Sequence, residues 1–325
     1  KTAFAKAMCI STGNRNQGAF RGPAMALVLL FALLFKAEGQ EPVFFAQHPQ
    51  NRMVYNPAWA GDRDIPGFSL LSRQQWVSWE GSPSANLLNF HTRLPDKNVG
   101  VGIALEYDRM GPVQYSGLKG IYSYTLQVGP SGTLNLGLQG EFRLLQIRIA
   151  QLQLVDQGDP LYGEDPGMKF QPNFGIGAGF VQGNFRAGIS LPRMLNSALT
   201  PHVEETSRWS NSHRVLYLDL GWQQTINDNI SLDPSLLLAF SAGRSPLLEL
   251  SGLVHFGEKF SLGAMYRFDQ TVGGMVHYKH ANRYVFGYSY DLALGKLLNN
   301  VGTHELFLGY NLPFNQIKTL SPRRF

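Results

Sequence analysis

Four carboxylates lie close together in the stretch DQGDPLYGED, residues 156–165: Asp156, Asp159, Glu164 and Asp165. Calcium is bound by several carboxylate or carbonyl oxygens, so a surface calcium site is one interpretation of this stretch. Its spacing is not that of an EF-hand, and a solvated acidic loop explains the residues more simply. We therefore expect no metal ion here and keep Asp159 and Asp165 as candidate partner-binding residues.

Other residue types that could do chemistry are scattered along the chain. His277 and His280 are three apart on a candidate strand, which sends their side chains to opposite faces and argues against a shared metal ion. The glycines of GIGAGF, residues 175–180, resemble a phosphate-binding loop, but no helix follows them, and the curvature and packing of a strand explain them better. No spacing singles out a serine nucleophile. We expect a protein that is not an enzyme, with no catalytic residue and no cofactor.

The elements that must position these residues have one apolar and one polar face. In TLNLGLQGEFRLL, residues 133–145, four leucines and Phe142 alternate with Asn135, Gly137, Gln139, Glu141 and Arg143. Successive side chains of a β-strand point to opposite faces, so this alternation predicts a strand that is apolar on one side and polar on the other.

We count fourteen such candidate strands within residues 68–312. Connections after even-numbered strands are short, whereas several after odd-numbered strands are long, notably 148–169, 192–212 and 292–301. This asymmetry is typical of outer-membrane barrels, in which short turns face the periplasm and long loops face outward. Lipid outside and a polar lumen inside satisfy both faces, and closure removes the sheet edges. The predicted fold is an all-β, transmembrane, antiparallel β-barrel; a soluble β-sandwich is the alternative.

Residues 1–39 are predicted to be a signal peptide, and their removal changes the charge balance. Basic residues precede the apolar run AMALVLLFALLF at 24–35, and Ala37 and Gly39 fit positions −3 and −1 of a cleavage site. The segment holds five basic residues and one acid, so the remaining 286 residues carry 23 basic and 22 acidic groups. The formal charge then falls from +5 to +1, which removes the main support for nucleic-acid binding.

Residues 40–67 do not alternate, and they contain the turn-rich stretch YNPAWAGDRDIPG. One interpretation is an irregular periplasmic segment before the barrel; the other is a plug folded into the barrel mouth. Asn56, Pro57, Trp59 and Gly61 are the candidate structural or partner-binding residues, since Pro57 holds Asn56 extended and Gly61 permits a turn. Residues 313–325 are expected to form a periplasmic tail.

Two further residues are candidates at the barrel itself. Trp76 lies near a strand end, where aromatic side chains form interfacial girdles. Glu305 points into the lumen if Leu306 and Leu308 face lipid, and a pair with Arg267 or Arg283 is one arrangement for it.

Several blocks of the sequence, taken in order, resemble one protein family. They are YNPAWAG at 55–61, RQQW at 73–76, DQGDPLYG at 156–163, PNFGIG at 172–177, DPSLLL at 233–238, YRFD at 266–269, GYSYD at 287–291, GTHELFLGY at 302–310 and SPRRF at 321–325. Together they resemble the PorP/SprF outer-membrane proteins of the type IX secretion system of Bacteroidota. The block at 156–163 matches the family pattern only in part.

The resemblance implies a barrel of the fatty-acid-transporter type and a role in the secretion and gliding machinery rather than catalysis. It also implies two classes of partner: secreted proteins held at the cell surface and periplasmic ring components of the secretion system. On this hypothesis loops 148–169 and 192–212 capture a secreted domain, and residues 40–67 and 313–325 face periplasmic partners. The alternative is an outer-membrane channel for hydrophobic or small solutes, with the N-terminal segment as its hatch.

Overall fold

The computed structural model describes residues 44–62, 67–94, 97–148, 165, 167–195, 214–242, 244–294 and 301–312. The predicted leader at 1–39 and tail at 313–325 lie outside these residues, as do Asp159 and most of loops 148–169 and 192–212. In the described part, no helix is long and apolar enough to cross a membrane.

Strands dominate the described residues. Their bounds are β1 Gly67–Gln74, β2 Ser84–Arg93, β3 Val99–Met110, β4 Val113–Val128, β5 Gly132–Ile147, β6 Lys169–Gln182, β7 Phe185–Leu191, β8 Val215–Trp222, β9 Gln224–Asn227, β10 Ile230–Ser241, β11 Leu247–Phe256, β12 Phe260–Arg267, β13 Thr271–His280, β14 Tyr284–Ala293 and β15 Thr303–Asn311. Before them come three single-turn 3₁₀ helices, His48–Gln50, Arg52–Val54 and Pro57–Trp59.

Antiparallel pairing joins these strands into a closed barrel. Consecutive strands pair with each other, except for β8 and β9, and the first strand, β1, pairs with the last, β15, from Gly67↔Asn311 to Gln74↔His304. Strands β8 and β9 both pair with β10, so together they occupy one strand position of the barrel. The barrel therefore has fourteen strand positions, which confirms the predicted fold class.

The sequence predicts one strand over residues 213–226, but in the structure this strand is interrupted at Gln223. The Gln223 amide donates to the Asn184 carbonyl oxygen in the β6–β7 turn (2.9 Å), which takes it out of the ladder with β10. The pairing with β10 keeps one register across the interruption, from Gly221↔Ser235 to Gln224↔Leu232, and shifts only between Ile230 and Ser231, where Ile230 pairs with Asn227. The interruption is therefore a local gap in the pairing, and the register shift lies further along β9, next to the turn into β10.

The alternation of the sequence becomes the outside and inside of the barrel. On β5, Leu136, Leu138 and Phe142 are exposed at 44%, 58% and 56%, whereas Gln139 and Glu141 are buried. An exposed apolar band around a closed sheet is stable only against lipid, so these strands form the wall of a membrane-spanning barrel. We call the end with the short turns the turn end and the end with the long connections the loop end.

Candidate functional site

Residues 44–62, which we call the plug, lie inside the barrel. Most of their side chains are buried, and Ala46, Trp59 and Ala58 are 0–1% exposed. The plug contacts strands on opposite sides of the wall, from β2 and β4 to β11 and β15. Its chain runs from Phe44 beneath the loop end to Gly61 at the turn end, where it leads into β1.

Asp219 on β8 anchors the middle of the plug. The Trp59 indole Nε1 donates to Asp219 Oδ1 and Oδ2 at 3.1 and 3.3 Å, and Asn56 Nδ2 lies 3.5 Å from Oδ2. Asn56 also caps the last 3₁₀ turn, because its Oδ1 accepts from the Ala58 amide (2.9 Å) while Pro57 opens that turn. The predicted candidates Asn56, Pro57 and Trp59 thus share one buried polar anchor.

Gly61 closes the plug at the turn end. Its φ of +70° lies in the left-handed region, and an added Cβ would lie 2.7 Å from the Gly100 Cα. Its carbonyl oxygen accepts from Arg93 Nε (3.2 Å), and its amide donates to His91 Nδ1 (3.4 Å). Gly61 therefore meets both a conformational and a steric requirement for glycine.

Glu305 on β15 anchors the start of the plug near the loop end. Its carboxylate accepts from the amides of Ala46 (2.8 Å) and Gln47 (3.2 Å) and pairs with Arg73, its register partner on β1. Arg73 Nη1 also donates to Asp291 Oδ2 on β14 (2.9 Å). Glu305 is fully buried, and its cation is Arg73 rather than the expected Arg267 or Arg283.

A second buried ion cluster holds the first 3₁₀ turn. Glu249 on β11 accepts from Arg267 Nε (2.9 Å) and Nη2 (2.6 Å), and its Oε1 lies 2.9 Å from His48 Nδ1. Beside it, Gln47 Oε1 lies 2.9 Å from His277 Nε2. Charged groups in a barrel interior are stable when they are paired in this way, so the plug supplies partners that the wall needs.

Glycines on the inner wall mark where the plug main chain touches the strands. An added Cβ at Gly137 would overlap the main chain of Pro57 and Ala58, and one at Gly177 would overlap Asn56. At Gly179 the added atom would lie 2.8 Å from the Trp59 ring. A glycine inside a strand often marks the close approach of another backbone. From the sequence alone, the glycines of GIGAGF are attributed to strand curvature and packing and are not connected with the plug.

The Gly137→Val variant should loosen the plug while leaving the barrel intact. The added side chain meets plug main chain that cannot move aside cheaply, so we expect about 1–3 kcal/mol of destabilisation, the usual cost of overpacking. Protease cleavage within residues 44–62 of the folded protein measures the loosening. The matched control is Gly140→Val on the same strand, where an added Cβ meets nothing within 4 Å. Equal cleavage of both variants would contradict this role for Gly137.

Between the plug and the loop end lies an open cavity of about 460 Å³, which we call the outer vestibule. Its floor is formed by Phe45, Val54, Tyr55 and Tyr217. Burial raises the pKa of the Tyr55 hydroxyl well above its ordinary value, so that group stays protonated while it accepts from the Phe45 amide (2.8 Å). The basic side chains of its lining are Arg73, Arg109, Lys119, Arg143, Arg193 and Arg244, and the acidic ones are Glu106 and Asp108.

A short segment after β7 folds inward and carries one of these cations. Asn173 Oδ1 accepts from the amides of Met194 and Leu195 (2.9 and 3.0 Å), and Gln139 Nε2 donates to the Pro192 carbonyl oxygen (2.8 Å). Arg193 then reaches Glu141 through Nε (2.8 Å) and Nη2 (2.9 Å). Burial disfavours the charged guanidinium, but the carboxylates of Glu141 and Glu106 outweigh it and raise the pKa of Arg193.

The remaining predicted residues lie away from the plug. Trp76, with φ +50°, follows β1 at the loop end, and its ring lies 5.6 Å from that of Trp79. Asp165 is exposed, and Asp159 lies outside the described residues. Within the described part of the chain, no group of three or more His, Cys, Asp or Glu side chains could hold a metal ion. Of the residues predicted from the sequence, the structure places Asn56, Pro57, Trp59 and Gly61 in the plug and Glu305 in contact with it. Trp76 and Asp165 lie elsewhere.

Solved structures of porins and of one channel are similar to this chain at low sequence identity. A monoaromatic hydrocarbon channel, CymD, is 12% identical, with a TM-score of 0.49 over 85% of this chain and 95% of that one. The KdgM porin is 8% identical, with a TM-score of 0.37 over 76% and 99%. A mutant of the Rh. blastica porin is also 8% identical, with a TM-score of 0.34 over 76% and 99%.

The amino-acid sequence gives a more specific comparison than the fold does. No curated protein matches the chain. A family model described as "Type IX secretion system membrane protein PorP/SprF" matches residues 37–310. That span takes in the plug and every described strand up to Tyr310.

Proposed function

Because the chain belongs to the PorP/SprF family of type IX secretion system membrane proteins, we propose that it acts as a sealed, non-enzymatic docking barrel of that system. In this role it holds particular secreted proteins at the cell surface and contacts the periplasmic components of the secretion and gliding machinery. Residues 1–39 serve as its secretion signal.

The seated plug is the observation that carries this proposal. A solute channel needs a continuous path, whereas residues 44–62 occupy the lumen and bond to the wall through Asp219, Glu249 and Glu305. A barrel that is closed by its own chain is suited to presenting its two ends to other proteins. The alternative function, a channel for small or hydrophobic solutes, requires the plug to leave.

In this proposal each end of the barrel contacts a different class of partner. Loops 148–169 and 192–212 belong to the loop end, where a secreted domain would be captured. The turn end and residues 313–325 face the periplasm. Because most plug side chains are buried, we assign the periplasmic contacts to the short turns and the tail rather than to residues 44–62.

Deleting the gene should release particular surface proteins into the medium or leave them inside the cell. The physical reason is that the secreted protein loses its holding surface in the outer membrane. Mass spectrometry of surface, medium and cell fractions makes the measurement, and affinity purification from native outer membranes identifies the partners. Wild-type protein and the Gly140→Val variant should each restore the surface proteins. Unchanged surface display in the deletion strain would contradict the proposed function.

A further inference from the structure

The lining of the outer vestibule combines cations that have unused hydrogen-bond donors with an apolar floor. Arg143 stacks on Tyr115 with its guanidinium carbon 3.9 Å from the ring centroid. Its only ion pair with a described residue is at 3.7 Å, from Nε to Glu141 Oε1, beyond hydrogen-bond distance. Arg193 bonds through Nε and Nη2, and its Nη1 makes no hydrogen bond to a described residue. Both guanidinium groups therefore retain N–H donors that face the cavity.

The geometry of these two cations suits a carboxylate. Both approach Glu141, so their guanidinium groups flank one buried carboxylate and leave positive charge on its cavity side. Lys119 next to them pairs with Glu106, so this cluster has three cations and two anions. Asp108 and Arg109 also line the cavity and add one charge of each sign. Guanidinium groups with free donors bind carboxylates through charge-assisted hydrogen bonds.

The rest of the vestibule suits a peptide rather than an inorganic anion. The floor of Phe45, Val54, Tyr55 and Tyr217 is apolar and lies below the cations. The rim carries a side-chain amide at Gln171 and hydroxyls at Ser84 and Ser241, which can bond a peptide main chain. A cavity of about 460 Å³ is large enough for a few residues of chain, and the plug closes it below.

We propose that the outer vestibule is a binding site for a peptide carboxylate, with Arg143 and Arg193 holding the carboxylate and the aromatic floor holding an adjacent apolar side chain. This inference rests on the proposed function, since the peptide would belong to a protein captured at the outer face. It adds to that function the location of the contact, inside the barrel mouth, and the chemical group that is recognised, a carboxylate.

The test compares acetyl-Gly-Gly-Leu, with a free carboxyl terminus, and its carboxyl-terminal amide, titrated calorimetrically into the purified full-length protein in detergent. The acid should bind about tenfold or more tightly than the amide, the effect of a charge-assisted hydrogen bond. Arg143→Gln should remove this preference. Arg193→Lys, which keeps a cation opposite Glu141 but loses the guanidinium fork, should weaken it. The control is Arg283→Gln, in a turn-end hairpin, which should bind as wild type does.

The inference would be overturned by no binding of the acid, by equal binding of acid and amide, or by a preference that survives both arginine variants. Acetate competing as well as the peptide would also overturn it, because the site would then recognise a small carboxylate alone. Failure here and failure of the proposed function are distinguishable. If peptide binding is absent but gene deletion still disturbs surface display, the docking role stands and only the vestibule site is lost.

Discussion

Deleting residues 44–62 should turn a barrel that hardly conducts ions into one with a steady, stepwise current, an increase of about tenfold or more. The plug fills the lumen at several heights, from Gly61 near the turn end to Ala46 near the loop end. A barrel of fourteen strand positions is close in size to the porins that enclose aqueous channels, so its emptied interior should fill with water. Single-channel recording in planar bilayers measures the effect.

The controls for this deletion separate an open lumen from a damaged barrel. Heat-modifiable migration on gels should show that the deleted protein still folds, because every strand ladder is retained. The Gly140→Val variant, which alters only the outer face, should conduct as little as wild type. If the folded deletion variant remained closed, or if wild-type protein already conducted as well, the plug would not be the seal.

Glu305→Ala should lower the free energy of unfolding by about 3–5 kcal/mol, the cost of removing one partner from a buried ion pair. The change leaves Arg73 with Asp291 alone and removes the acceptor of the Ala46 and Gln47 amides. Urea unfolding in lipid vesicles, followed by tryptophan fluorescence, measures the loss as a shift in midpoint at constant slope.

Glu305→Gln tests the same prediction with a smaller change, because its side-chain amide keeps an oxygen for the plug amides but loses the negative charge. It should cost less, about 1–3 kcal/mol. The matched control is Glu258→Ala, an exposed carboxylate in the β11–β12 turn, which should stay within about 0.5 kcal/mol of wild type. A Glu305→Ala protein as stable as this control would show that the buried cluster does not hold the plug.

The sequence alone was enough to predict the barrel wall. The alternation around Leu136 and Gln139 gives the face of each residue, and the lengths of the connections give the two ends. The predicted break points were less accurate, since the interruption at Gln223 depends on a bond to Asn184 in a neighbouring turn. Alternation within a single strand carries no information about such a contact.

The contacts of the plug could not be predicted in the same way, because they join residues far apart in the chain. Trp59 and Asp219 are 160 positions apart, and Ala46 and Glu305 are 259 apart. Arg73 becomes the partner of Glu305 only after barrel closure sets the register between β1 and β15. The spacing of Gly137, Gly177 and Gly179 on the polar faces was the one local signal, and only the position of the plug gives it meaning.

The position of Glu305 also bears on the order of assembly. Arg73 belongs to the first strand to be made and Glu305 to the last, and the same carboxylate accepts from the plug at Ala46. The ion pair between Arg73 and Glu305 can therefore form only after the last strand, β15, has paired with β1. Closure of the barrel and anchoring of the plug at Ala46 then become one late, cooperative event. A nascent chain lacking its last strand would have an open sheet edge, and its plug would lack the anchor at Ala46 and Gln47.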